Sequence, residues 1–556
     1  MTTVAALLMR MLREAGVDYL FGNPGTTELP FLDALDGSGI EYIVALQEAT
    51  AVAAADGYAQ ASRRLGLVNL HVAPGVGNGL SILHNASRAR SPLLVTAGQQ
   101  DTRLLLGDPI LAADLVQLTE QFTKWSHEIR SAAEAPAALR RAIELALAPP
   151  TGPVFLALPM DFMTEPVDDV TIPASIVSAR VEPPPDAIAQ AAALLATSTS
   201  PLIVAGDGVA RSGARSELQA LAELLGAGVH GEPIHRRASF PGDHALWRGG
   251  LFPSAASVRK SLERADCVLI VGASVFTWLF HTPGAPFPPD VPVIQLDDNA
   301  REIGKMYPVR LGMVADLGAG LRALHGALEA RLGASERAAA AARLAALGQS
   351  RQAHARRLAL DAEAAAARTP MAPAFAIRTL AGLLPADAVI VDESASSLPH
   401  VLRHLPFGPR ADFFGSKTGT LGWAMGAAVG VKLAWPERAV VATIGDGSMM
   451  YAPQALWTAA RYRLPITYVV LNNTSYAILK SGMVTLGLPS AKRGIYPGMD
   501  LVDPEIDYLA LARAMGVRAA RVEKPADLRD ALAECLAHRG PALVDVVIDR
   551  SFEAML

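Results

Sequence analysis

The chain has 556 residues, too many for one hydrophobic core, so about three domains are expected. Its 51% hydrophobic and 19% charged residues exclude a disordered chain, and a net charge of −5 offers no basic surface for nucleic acid. Cys267 and Cys535, the two cysteines, each sit inside an apolar run. They read as buried thiols in a reducing compartment, the cytoplasm, and not as a disulfide or a nucleophile.

Near the start, Arg10 and Arg13 interrupt an apolar pattern, which predicts an amphipathic helix and not a signal peptide. No apolar run approaches the roughly eighteen residues of a membrane span, so no membrane partner is expected. Short β-rich runs then alternate with helical patterns, the signature of βαβ units and parallel sheets. Strands are predicted near 18–21, 42–46, 67–71, 93–97 and 154–158. A break at Val181-Glu182-Pro183-Pro184-Pro185 opens a second block with strands at 202–205, 267–271 and 293–296. An Ala/Arg-rich stretch reads as a solvated helical connector, and the last block carries strands at 388–392, 439–444, 466–471 and 542–547. The expected fold class is α/β in three domains, each a mostly parallel sheet flanked by helices. They span 1–170, 181–333 and 370–556, with 334–369 as the helical linker.

In the last block, Ala439 to Ile444 runs into Gly445-Asp446-Gly447-Ser448, and Ile466 to Leu471 into Asn472-Asn473-Thr474-Ser475. A helix is predicted between them, from about Pro453 to Arg461. Such a right-handed βαβ unit delivers Asp446 and Asn473 to one sheet edge, outside the carboxyl ends of the strands, where ligands bind. Mg²⁺ takes a carboxylate, neutral oxygens and phosphate oxygens. Asp446 offers the carboxylate, Asn473 an amide oxygen and Ser475 a backbone carbonyl, while Gly445 and Gly447 let backbone approach phosphates. Turn formation alone also accounts for either motif. The chain supplies a control: Gly206-Asp207-Gly208 follows a strand too, yet 27 residues after Asp207 stands Ile234, whereas 27 after Asp446 stands Asn473.

Three polar residues fall just past strands of the first block: Thr26 in Gly22-Asn23-Pro24-Gly25-Thr26-Thr27-Glu28, Glu48 in Ala45-Leu46-Gln47-Glu48-Ala49, and His71 in Asn69-Leu70-His71. Repetition at one sheet edge is what a pocket rim produces. Position leaves each with a second reading. Glu48 also suits the first turn of a surface helix, His71 a satisfied core histidine and Thr26 an N-cap.

Together these segments resemble the thiamine-diphosphate-dependent decarboxylase superfamily, and within it the benzoylformate decarboxylases. The resemblance runs nearly end to end and is closest at Phe21 to Gly25, Ala45 to Ala49, Ala55 to Arg63, Asn69 to His71, Val95 to Gln100 and Ile444 to Tyr462. It implies thiamine diphosphate with Mg²⁺ (or Ca²⁺), the metal held by Asp446, Asn473 and Ser475. Glu48 would activate the aminopyrimidine ring, the Gly419 carbonyl would receive its amino group, and Leu421 would be the apolar wedge that bends the cofactor. Further cofactor contacts are implied at Gly25, Ser396, Gly445, Gly447, Ser448 and Tyr476. Glu48, His71, Thr26 and His281 are the candidate catalytic residues, with His71 as proton shuttle. The family also implies sites shared between subunits, in a homodimer or homotetramer.

Two departures concern the substrate. Thr26 stands where the family has serine, and Leu279 aligns with a second family histidine, His281 lying two residues later. The segment from Lys480 to Pro497 also differs. The implied reaction is non-oxidative decarboxylation of an aromatic or bulky apolar 2-oxo acid to an aldehyde. The alternative is making or cleaving 2-hydroxy ketones, in the manner of acetolactate synthases or 2-hydroxyacyl-CoA lyases. A Rossmann dehydrogenase fits less well, because Gly75-Val76-Gly77-Asn78-Gly79-Leu80 lacks the required glycine spacing.

Overall fold

Each predicted apolar run forms a strand paired in parallel with its neighbours. The computed structural model describes residues 1–173, 175, 179–405, 407–408 and 410–555. It separates into one unit of Met1–Val177, Ala367–Leu398 and Gly415–Leu556, and a second of Ser178–Ala366 and Pro399–Phe414. Three six-stranded sheets account for the α/β class. Among the described residues no helix is long and apolar enough to cross a membrane, and both cysteines are buried and free.

The first sheet contains β1 (Tyr19–Gly22), β2 (Glu41–Val44), β3 (Gly66–Leu70), β4 (Leu93–Gln99), β5 (Ser126–Glu128) and β6 (Val154–Pro159), in the order β2-β1-β3-β4-β6-β5. Helix α1 (Val4–Glu14) buries Val4, Leu8 and Leu12 against one face, with Leu20, Leu67 and Leu156 in the same core. Thr3 caps it by accepting the Ala6 N–H. The amphipathic reading of this segment holds, since Arg10 and Arg13 lie on the outer side.

The second unit holds β7 (Pro201–Ala205), β8 (Gly228–Gly231), β9 (Trp247–Gly250), β10 (Cys267–Val271), β11 (Val293–Asp297) and β12 (Leu311–Val314), ordered β9-β8-β7-β10-β11-β12. Just past β7, a Cβ on Gly206 would stand 2.1 Å from the carbonyl oxygen of Gly272, so these glycines pack backbone on backbone. Asp207 accepts the amides of Arg236 (2.8 Å) and Arg237 (3.0 Å). Here Gly-Asp-Gly ties a loop to the sheet edge, as the failed 27-residue step implied.

The third sheet contains β13 (Val389–Glu393), β14 (Asp412–Gly415), β15 (Val440–Gly445), β16 (Ile466–Asn472), β17 (Arg518–Val522) and β18 (Ala542–Val547), ordered β14-β13-β15-β16-β18-β17. First and third sheets therefore share one strand order. In both, the chain changes direction between the first and third strands, and a crevice opens at such a switch point.

Helix α2 (Glu48–Ser62) follows β2, and helix α5 (Trp423–Ala434) follows β14; between them in sequence come α3 (Val72–Ala89) and the long α4 (Ala334–Ala364). The α2 sequence is rich in Ala and nearly all buried, because it is packed on its sheet and also against α5. Added Cβ atoms would lie 2.3 Å from the Ala427 oxygen at Gly57 and 1.8 Å from the Ala54 oxygen at Gly430. No side chain fits there. Gly430→Ala is expected to destabilise the protein by on the order of 3 kcal/mol, read as a lower denaturant midpoint. A wild-type midpoint would mean that the helices are not so closely packed.

Candidate active site

At the first switch point, β1 leads to Thr27 and Glu28, and β3 leads to His71, which is the N-cap residue of α3. Glu28 is 1% exposed. Its Oε1 accepts the Thr27 hydroxyl (2.7 Å) and the Gly98 amide (2.8 Å), and its Oε2 is 2.8 Å from His71 Nδ1. With Nδ1 engaged by a carboxylate, Nε2 is the nitrogen left for proton exchange. His71 is half-buried, so it is neither a sealed core residue nor a free surface one.

Glu48 opens α2 and is 7% exposed. The surface-helix reading thus fails on burial, although the residue does stand in a first turn. Its Oε2 accepts Asn78 Nδ2 (3.0 Å), and an added Cβ on Gly75 would stand 3.3 Å from Oε1. Thr26 is exposed. It is not an N-cap, since Glu28 takes that place in the helix Leu29–Asp33. Its neighbour Thr27 carries the buried hydroxyl.

Glu28, Thr27 and Asn78 were not singled out from the sequence. The only signal for Glu28 is a carboxylate soon after a strand. Two glycines make room for it: a Cβ on Gly25 would be 2.0 Å from His71 Nδ1, and one on Gly98 would be 2.1 Å from Glu28 Oε1. Gly98→Ala is expected to displace Glu28 and lower kcat by roughly 10², with cofactor affinity unchanged by calorimetry. Unchanged turnover would show that the Glu28 position is immaterial.

At the second switch point, β13 ends in Glu393 and leads to Ser396, while β15 ends in Gly445 and leads into helix α6 (Asp446–Met449). Asp446 is 3% exposed, and its Oδ2 has no hydrogen-bond partner. Burial pushes its carboxyl up to about 6, against backbone N–H groups of Gly447, Asp446 and Thr474 that favour the charged form. Helix α7 (Ala455–Arg461) connects to β16. There Asn473 Oδ1 accepts the Ser475 amide (3.1 Å), and Asn472 binds Asp545 Oδ1 (2.9 Å) instead. The neighbouring asparagines therefore divide: Asn472 secures the sheet, and Asn473 turns to the loop.

The loop that follows Asn473 is itself strapped. Ser475 Oγ (2.9 Å) and the Tyr476 amide (2.9 Å) both donate to the Met499 carbonyl, and Gly447 lies against the Tyr476 ring. Helix α8 (Ala477–Thr485) follows, where Lys480 pairs with Asp500 (2.6 Å) and lies over the rings of Tyr496 and Phe552. This segment's lysine is thus neutralised locally.

Gly419 and Leu421 stand in the loop before α5, whose glycines Gly419 (φ +74°) and Gly422 (φ +85°) are left-handed. Glu393, another residue missed in the sequence, accepts the amides of Gly422 (2.5 Å) and Ala424 (2.8 Å). Burial pushes its carboxyl up to about 8, opposed by those amides. Ser448 is buried and Ser396 half-buried. His281 lies exposed between β10 and β11 of the second unit.

A diphosphate-bound Mg²⁺ fits this edge. The unpartnered, buried oxygen of Asp446 would supply the charged ligand such an ion requires. Among the described residues no group of three or more His, Cys, Asp or Glu side chains is placed to hold a metal.

Models of the N-terminal, central and C-terminal domains of thiamine pyrophosphate enzymes match residues 2–124, 188–324 and 397–546. The chain is 35% identical to the benzoylformate decarboxylase of Pseudomonas aeruginosa, across 98% of this chain and 99% of the relative. The chain belongs to the thiamine pyrophosphate enzyme family. Within that family it is also 27% identical to the acetolactate synthase large subunit of Lactococcus lactis, over 99% of this chain and 93% of the relative. The crystal structure of benzoylformate decarboxylase from Polynucleobacter necessarius superposes with a TM-score of 0.88 at 29% identity, covering 100% of both chains. This family member is of the benzoylformate decarboxylase type.

Proposed function

We propose that the chain catalyses Mg²⁺- and thiamine-diphosphate-dependent, non-oxidative decarboxylation of an aromatic or bulky apolar 2-oxo acid, releasing an aldehyde. The observation that carries this reading is the pair of buried Glu28 and half-buried His71 beside Glu48 (2.8 Å between Oε2 and Nδ1). It is a proton-handling couple at the edge of the domain that would bind the aminopyrimidine. The benzoylformate decarboxylase relative supports the substrate class.

When bound, thiamine diphosphate supplies a nucleophilic carbon and a sink for the electron pair left by CO₂. The protein does the rest. Asp446, Asn473 and the Ser475 carbonyl would hold the metal, while Gly445, Gly447, Ser448, Ser396 and Tyr476 would bind around the diphosphate. Glu48 would bind a ring nitrogen of the cofactor, the Gly419 carbonyl would accept from its amino group, and Leu421 would give it an apolar contact. Gly25, which leaves room for the His71 ring, would contact the cofactor. His71 carries a proton on Nε2, steadied by Glu28, and Thr26 contacts substrate; His281 is a further candidate for that contact.

We take 1–170 and 370–556 as the cofactor-binding domains, 181–333 as the central one and 334–369 as the connector. We infer a homodimer or homotetramer with shared sites. In support, the large apolar side chains of Leu46, Leu479, Leu486 and Ile495 are exposed. Buried free thiols suit the cytoplasm.

The test is a panel of 2-oxo acids with Mg²⁺ and thiamine diphosphate, scored for CO₂ and aldehyde. Turnover of an aromatic member is expected. Turnover that survives complete cofactor removal would sink the reading. Acetolactate or another acyloin as the main product would favour the synthase-like alternative, which the Lactococcus relative supports.

A further inference from the structure

A buried carboxylate outside the site described above is tied to the loop that carries Gly419 and Leu421. Asp56, fully buried on α2, accepts hydrogen bonds from Gln60 Nε2 (2.9 Å), Asn85 Nδ2 (3.0 Å), Trp423 Nε1 (2.7 Å) and the Ser91 hydroxyl. Three of these are groups that can only donate through the atom used, so both carboxylate oxygens are committed as acceptors.

Asn85 passes the constraint on. Its Oδ1 accepts from the Lys417 amide (2.8 Å), the Thr418 amide (3.2 Å), the Ser416 hydroxyl (3.2 Å) and the Thr418 hydroxyl (3.3 Å). The amide orientation is fixed from both sides, because Nδ2 must face the carboxylate and Oδ1 the backbone N–H groups. Thr418 Oγ1 then meets Thr420 Oγ1 at 2.7 Å. The far end of the loop is held by Glu393 on Gly422 and Ala424, and by Trp423, which returns to Asp56. Asn85 also stands seven residues after Asn78, on the same face of α3 that reaches Glu48.

We propose that Asp56 and Asn85 are positioning residues for the cofactor: Asp56 fixes the Asn85 amide, and Asn85 holds residues 416–418 so that Gly419 and Leu421 are set before the cofactor arrives. This rests on the cofactor roles given to Gly419 and Leu421 under the proposed function. An unbraced loop would have to be ordered on binding, at the expense of affinity and of ring geometry.

The experiment uses the full chain with Asn85→Ala, Asp56→Asn and Thr418→Val. In the cofactor-free protein, amide hydrogen exchange at 417 and 418 is expected to quicken by about tenfold in Asn85→Ala and Asp56→Asn, while amides of β15 and β16 keep wild-type rates. Calorimetric affinity for thiamine diphosphate with Mg²⁺ should weaken by about tenfold. At saturating cofactor, exchange of its C2 proton into D₂O should slow by about tenfold, which a role in stability alone would not produce. Wild-type exchange at 417–418, or a wild-type C2 rate, would overturn the proposal. If the core variants do not fold, Thr418→Val decides: a slower C2 rate supports the brace and an unchanged one removes it. Wild-type protein that binds no thiamine diphosphate would instead sink the cofactor reading itself.

Discussion

Asp446→Asn is expected to stabilise the metal-free protein while abolishing the stabilisation conferred by Mg²⁺ and thiamine diphosphate. The carboxylate is buried, one oxygen lacks a partner, and its pKa is pushed up to about 6 by desolvation. A carboxyl whose folded pKa lies above the ordinary 3.8 costs stability as pH rises from about 4 to 6, and the full cost persists above that. The neutral amide removes it, a gain on the order of 2 kcal/mol at pH 7 that fades as pH falls from about 6 to 4. With cofactor at about a thousandfold over Kd, the wild type gains about 4 kcal/mol and the variant nearly none. Thermal unfolding with and without ligands measures both effects. A metal-free variant melting below wild type, or one with the full ligand shift, would remove Asp446 from the proposed metal site.

Glu48→Gln should act on rate and leave the fold intact. The glutamine oxygen can still accept Asn78 Nδ2, which binds the wild-type carboxylate at 3.0 Å, so neither packing nor that hydrogen bond is lost. What disappears is a group able to exchange a proton with the ring nitrogen of the cofactor. A fall in kcat of roughly 10²–10⁴ is expected, with cofactor affinity changed only a few-fold. The C2 exchange rate should fall in parallel. Turnover within tenfold of wild type would assign Glu48 a structural role only.

How much of this was legible beforehand follows from burial. Interior strands such as Val154–Pro159 and Ile466–Asn472 are covered on both faces and read as mostly apolar runs. The edge strands Ser126–Glu128, Trp247–Gly250, Leu311–Val314 and Arg518–Val522 are partly exposed and mixed in sequence, so nothing in their composition announces pairing. Asp446 and Asn473 were legible because their spacing is local, set by one βαβ unit. Glu28 and His71 stand 43 residues apart, and Asn85 meets Lys417 across 332. Such meetings are products of topology, which no local pattern encodes. Glu393 was hidden for another reason: its partners are backbone amides, which every residue has.

The seam between α2 and α5 has a further consequence. Gly57 stands nine residues after Glu48 and Gly430 nine after Leu421, while Ala54 and Ala427 each stand six after the same starts. Gly57 touches Ala427, and Gly430 touches Ala54. The contact is reciprocal, as in an isologous dimer in which residue i meets j and j meets i. The two sheets also share one strand order, so the seam joins matched positions of the two halves, with Glu48 and Leu421 equally far before their glycines. Widening the seam at one glycine would also relieve its mate, so the two positions behave as one interface and not as two independent sites.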